Sequence, residues 1–333
     1  MDSTNQILVT GGAGFIGSHL VERLLAEGNS VAVIDDGSTG SLENLQAVSN
    51  HPNLRIILSK VSECRELRDL VSHSKCIYHL AAAVGVELVV RSPVRTIHTN
   101  LCETEAILDA ANHSRGVPVL VASTSEVYGK SQKAAFSEDD DLLIGPPHLG
   151  RWSYACSKLM DEFLALAYAR ERGLPVIVTR LFNTVGPRQT GLYGMVLPRF
   201  IAAATAGQPL RVYGDGRQTR SFCYVADTVE ALIRLQSCPT ARGEVFNVGS
   251  EEEVSIEQLA QLVIQVSNSA STIERVPYEQ AYGPGFEDMQ RRRPRTAKLA
   301  HHTGFRPSTP IRRVIERTLA WAEKKKGALA GAS

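Results

Sequence analysis

Short apolar blocks alternate along the first half of this 333-residue chain with segments whose apolar residues recur every three or four positions. The blocks at 6–9, 30–36, 54–58, 76–83, 118–122 and 176–182 read as buried strands. Leu20, Leu24 and Leu25 begin a helical stripe, and further helices are expected over 66–71, 100–112 and 153–172, with Ser153 as a cap. Apolar strands interleaved with amphipathic helices predict an α/β fold with a doubly wound parallel sheet covered on both faces. Beyond Phe182 the alternation breaks down. Strands are expected at 210–213, 219–224 and 245–248 and helices at 227–236, 255–266 and 311–326, with an irregular loop over 283–294. The expected division is a sheet domain of 1–182 with about 222–250, and a smaller, discontinuous C-terminal substrate domain of 183–221 with about 251–333.

The first strand empties into Thr10-Gly11-Gly12-Ala13-Gly14-Phe15-Ile16-Gly17. Glycines at 11, 14 and 17 between a strand and a helix form the Rossmann dinucleotide fingerprint. Gly11 serves the tight turn, Gly14 the approach of a pyrophosphate, and Gly17 the packing of helix on strand. The phosphates then meet the free N–H groups of a helix N-terminus. Asp35 stands 18 residues beyond Gly17, close to the ~20 expected of an acid on a ribose 2′-hydroxyl. A carboxylate there repels a 2′-phosphate and selects NAD over NADP. Neighbouring Asp36 reads more as a turn acid. The small residues that follow the fourth strand leave room for a ligand at the sheet's carboxyl edge.

Bulk properties narrow the class. A formal net charge of +1 gives no general pull toward nucleic acid, and it outweighs the basic runs 291–293 and 324–326. No run of 18 apolar residues occurs and the chain enters a strand directly, so neither signal peptide nor membrane anchor is expected. Six scattered cysteines without metal spacing point to a reducing cytoplasm and to no metal site.

Tyr154 and Lys158 are i and i+4 on one helix and share a face. An ammonium one turn away, together with a nicotinamide cation, favours ionisation of a phenol whose ordinary pKa is ~10. The phenolate can then take a hydroxyl proton while hydride leaves the same carbon. Thr124, in the strand-end run Ser123-Thr124-Ser125-Glu126-Val127-Tyr128-Gly129, supplies a second hydrogen bond to that hydroxyl.

These motifs, with His79-Leu80-Ala81-Ala82 and the run from Leu181 to Arg188, resemble the extended short-chain dehydrogenase/reductases of the NAD-dependent epimerase/dehydratase family, over Ile7 to about Phe305. The resemblance implies a UDP-linked nucleotide-sugar substrate oxidised at C4, with Tyr154 as base and Lys158 on the nicotinamide ribose. Gly11, Gly14, Phe15, Ile16, Gly17, Asp35, Asp36, Leu80, Ala81, Ala82 and Asn100 then contact the cofactor. Asn183, Val196, Arg211, Tyr213, Arg220 and Arg292 contact the nucleotide sugar, a guanidinium being suited to phosphate. A homodimer through helices at about 103–113 and 153–170 is also implied. One departure stands out: Lys60 occupies the place of the aspartate that usually touches adenine.

The second half of the reaction stays open. Ser125 replaces the aspartate of 4,6-dehydratases, which disfavours elimination. Thr124-Ser125-Glu126 and Arg292-Arg293-Pro294 resemble the UDP-glucuronate decarboxylase branch, with Glu126 helping at C5 and Arg292 meeting the uronate. The same residues suit a UDP-glucuronate or UDP-glucose 4-epimerase. A silent NAD-binding sensor is disfavoured by the presence of both Tyr154 and Lys158.

Overall fold

The computed structural model describes residues 6–83, 92–191, 195–277, 280, 289 and 291–330. Six strands arise in the first half: β1 (Gln6–Thr10), β2 (Ser30–Asp35), β3 (Leu54–Leu58), β4 (Ser74–His79), β5 (Val119–Thr124) and β6 (Val176–Leu181). With the later strand Glu244–Val248 they form one seven-stranded sheet in the order Glu244–Val248, β6, β5, β4, β1, β2, β3. Every pairing in it is parallel. Alternate residues serve opposite faces, as strand geometry demands. Ile7 and Val9 join a core with α1 (Phe15–Ala26), whereas Leu8 joins the core on the other face, with Ile107, Leu108 and Ala165. That second layer consists of α2 (Leu67–Ser72), α3 (Pro93–His113) and α4 (Trp152–Arg172).

The second half is built from smaller pieces. After β7 (Thr184–Val185) come α5 (Val196–Thr205), β8 (Leu210–Tyr213), β9 (Thr219–Ser221), β10 (Cys223–Tyr224) and α6 (Val225–Gln236). The sheet strand β11 (Glu244–Val248) is followed by β12 (Glu253–Ser255), α7 (Ile256–Ser267), β13 (Ile273–Val276), β14 (Arg291–Arg292), α8 (Ala297–Thr303) and α9 (Ile311–Ala330). Leu197, Phe200, Ile201, Leu210, Leu259, Val263, Val314 and Ile315 form a separate apolar core here. The start of α7 is fixed by a full capping box between Ser255 and Gln258.

Two expectations are corrected, and one helix is added. Arg291 and Arg292 form a strand beside β9, not part of an irregular loop; residues 283–288 and 290 lie outside the described set. Ser153 does not cap α4, since its hydroxyl donates to the Gly150 carbonyl (2.7 Å) and Arg151 holds the cap position. Helix α5 was not expected, although Pro198 is tolerated in a first helical turn. Among the described residues no helix is long and apolar enough to cross a membrane.

Helix α4 is bolted to the sheet by a buried ion pair. The Arg180 guanidinium of β6 donates from Nε and Nη2 to the Glu162 carboxylate (3.1 and 2.8 Å). The two side chains are 6% and 3% exposed. Ser123 Oγ donates to the same carboxylate (2.5 Å), and Arg180 Nη1 donates to the Tyr128 hydroxyl (3.0 Å). Arg180→Met strands Glu162 in the interior, with an expected cost of about 3–5 kcal/mol, measured as a lower urea midpoint by circular dichroism.

Candidate active site

The carboxyl edge of the sheet opens into a cleft of about 800 Å³ that runs from the glycine loop to the second core. Gly11 has φ +71°, and a Cβ there would fall 2.7 Å from the Ala81 backbone nitrogen. A Cβ on Gly17 would fall 2.1 Å from the Gly11 carbonyl oxygen. The turn thus needs both glycines. Gly14 precedes α1 without a side-chain cap, and the first turn carries no acid. Its N–H groups are therefore suited to an anion. Asp35 Oδ2 accepts from Ala13 N (2.9 Å) and Oδ1 from Gly37 N (2.8 Å). It staples the glycine loop while lining the cleft, and burial raises its pKa against those two bonds. Asp36 is exposed and accepts from Ser38 N (2.9 Å), the turn role expected of it. These features fit a dinucleotide.

Phe15, Ile16, Leu80, Ala81 and Ala82 line the same cleft. Asn100 does not. It is buried behind the wall, where its Oδ1 accepts from Ala83 N (2.8 Å) and its Nδ2 donates to Ser157 Oγ (2.9 Å). Lys60 reaches the cleft but pairs with Glu63 (2.5 Å) across the exposed turn.

The chemical groups converge at the middle of the cleft. β5 delivers Thr124, the following 3₁₀ turn Ser125 and Glu126, and α4 Tyr154 and Lys158. Thr124 caps that turn by accepting from Glu126 N (3.3 Å). Burial pushes the Tyr154 phenol well above its ordinary pKa. The carboxylates of Glu126 and Asp161 add to this, while the Thr124 hydroxyl and Arg292 oppose it. The expected help from Lys158 takes another form: its ammonium is bonded to Asp161 Oδ2 at 2.6 Å.

β14 explains the arginine triplet. Strand alternation turns Arg292 toward the cleft, where Nη1 donates to Glu126 Oε1 (2.8 Å) and Nη2 to Asn183 Oδ1. Its neighbours face elsewhere: Arg291 pairs with Glu253 (2.5 Å) and Arg293 donates to the Glu251 carbonyl (3.0 Å). Arg292 is also the register partner of Arg220 on β9. Val196, Tyr213, Arg220 and Asn183 line the part of the cleft away from the glycine loop, with Arg211 at the rim, 65% exposed and paired with Glu274.

Three cations were missed in the sequence. Arg151 stands three residues before Tyr154, and that spacing is the signal which places its guanidinium 3.9 Å from Glu126 Oε2. Arg199, on the unforeseen α5, bonds the Tyr213 hydroxyl and lies 4.6 Å over its ring. Arg188, at φ +72°, reaches back to Glu22 of α1 (2.6 Å).

A family model described as GDP-mannose 4,6 dehydratase matches residues 8–318. The chain belongs to this family, the NAD-dependent epimerases and dehydratases that its motifs resemble, and it is an enzyme. More particularly, it is 42% identical over 315 residues to a UDP-N-acetyl-alpha-D-glucosaminuronate decarboxylase of Bacillus cytotoxicus, covering 94% of this chain and 96% of the relative. It is 35% identical to UDP-glucuronic acid decarboxylase 1 of Xenopus tropicalis, over 96% of this chain and 72% of that one. A similar solved structure is UDP-glucuronic acid 4-epimerase of Bacillus cereus in complex with UDP-glucuronic acid and NAD. Its TM-score is 0.86 at 28% identity, over 96% of this chain and 99% of that one.

Gly17→Ala is expected to strain the turn by about 1–3 kcal/mol and to weaken NAD binding tenfold or more, measured by calorimetric titration.

Proposed function

We propose that the protein decarboxylates a UDP-linked hexuronate, glucuronate or its 2-acetamido counterpart, through a transient C4 ketone. The observation that carries this is the Arg292–Glu126 ion pair (2.8 Å) in the same cleft as Tyr154 and Thr124. Arg292 Nε is buried with no hydrogen-bond partner among the described residues. Together with Arg151 it surrounds Glu126 with guanidinium groups, a setting suited to a second carboxylate.

The glycine turn and Asp35 would hold NAD, which supplies the hydride acceptor and donor at C4. Tyr154 takes the hydroxyl proton and Thr124 steadies that oxygen. With a ketone at C4 the C6 carboxylate becomes that of a β-keto acid, so the bond to CO₂ breaks with electrons flowing into an enolate. Arg292 stabilises that charge, and Glu126 serves proton transfer at C5. Arg220 and Tyr213 hold the nucleotide diphosphate. 4-Epimerisation is the competing outcome, favoured by the likeness to the Bacillus cereus structure.

Two further properties belong to this reading. α3 and α4 expose Val94 (80%), Ile97 (38%), Met160 (53%) and Phe163 (58%), and an apolar face of this kind on adjoining helices supports a homodimer. The free thiols support a cytoplasmic setting.

Incubation with UDP-glucuronate and UDP-N-acetylglucosaminuronate, followed by NMR, tests the reaction. CO₂ with a UDP-pentose is expected, and UDP-galacturonate alone would replace this reading with epimerisation. Tyr154→Phe should lower turnover by about 10²–10⁴-fold with NAD still bound. Phe163→Asp should convert the dimer to monomer in size-exclusion chromatography with light scattering.

A further inference from the structure

Behind the reacting groups lies a polar chain that the proposed reaction does not use. Lys158 and Asp161 are one helical turn apart on α4, bonded at 2.6 Å, and their side chains are 2% and 0% exposed. Asp161 is seven residues beyond Tyr154, so phenol, ammonium and carboxylate follow one another along a single helix face. Burial raises the pKa of this carboxylate, and Lys158 and the Thr104 hydroxyl of α3 work against that rise. Thr104 Oγ1 also meets His79 Nε2 (3.1 Å), and His79 Nδ1 meets Thr10 Oγ1 (2.8 Å). Thr10 Oγ1 in turn accepts from Ala81 N (3.3 Å), in the cleft wall. The lysine's support is thus continuous with the strand ends that shape the cofactor end of the cleft.

We propose that Asp161 is the positioning residue of the Tyr154–Lys158 pair: its carboxylate holds the Lys158 ammonium in the interior and balances that charge, tempering the pull of the lysine on the phenol. The proposal rests on Tyr154 acting as the base. A buried ammonium is costly to hold without a partner, and a carboxylate at bonding distance offsets that cost. The surrounding groups leave this duty to Asp161. His79 on β4 is held neutral, its pKa pushed down to about 3 by burial and then by Lys158. Glu162 is committed to Arg180 of β6. Glu103 of α3 accepts from Val61 N, Ser62 N and Ser62 Oγ. Glu126 from the 3₁₀ turn and Arg292 from β14 pair with each other, and Arg151 at the helix start lies near Glu126.

The test is Asp161→Asn in the NAD-loaded protein, with tyrosine labelled at Cζ with ¹³C and the Tyr154 signal assigned by its loss in Tyr154→Phe. Removing a negative charge near a phenol favours the phenolate, so its titration should move to lower pH by about one unit or more. The acid limb of kcat should move the same way. An unmoved or upward-moved titration, with only thermal stability lost, overturns the proposal. Should that variant not fold, the double variant Lys158→Met with Asp161→Asn, which buries no unpaired charge, decides. Loss of a balanced pair leaves the phenol titration within about half a unit, while loss of a cation acting alone raises it by about one unit or more. The titration needs no substrate, so a failed uronate reaction, or an active Tyr154→Phe, counts against the proposed function and not against the charge balance.

Discussion

The site depends on one buried contact, the bidentate pairing of Arg180 with Glu162. Two charges in an apolar interior repay their desolvation only when geometry and additional bonds are good. Here Ser123, Tyr128 and Asn247 complete the network, since the Tyr128 hydroxyl donates onward to Asn247 Oδ1 (2.7 Å). The network spans β5, α4, β6 and β11, so the helix that carries Tyr154 cannot slide along the strand that carries Thr124 without breaking it. Burial works against the Arg180 charge, yet the bonds and charge of Glu162 prevail and raise its pKa further.

The chemistry at the mouth of this framework is a contest among charges. Carboxylates at 126 and 161 oppose the phenolate, and Arg292 favours it. Each opposing acid already has a cationic partner, Arg292 for Glu126 and Lys158 for Asp161. A substrate carboxylate arriving near Arg292 would compete with Glu126 for that guanidinium. Binding and base strength are therefore linked through the same arginine.

The sheet was legible because its strands are continuous apolar runs, and each became a parallel strand, although the fourth, expected over 76–83, ends at His79. The glycine turn, Asp35 and the Tyr154–Lys158 spacing were legible because local geometry fixes them. What escaped was set by distant partners. The lysine's pairing with Asp161 depends on which of several acids burial selects, and periodicity carries no such information. Asn100 was assigned by resemblance, whereas its amide is spent on Ala83 and Ser157. The short strands of the second half, down to two residues in β14, fall below the length at which a period can be read.

That two-residue strand has a consequence for how the fold tolerates change. Successive side chains of a strand point to opposite sides, and of the two arginines in β14 it is Arg292 that bonds Glu126, while Arg291 turns to Glu253. A one-residue shift of β14 along β9 would leave composition and charge intact yet turn Arg292 away from the cleft.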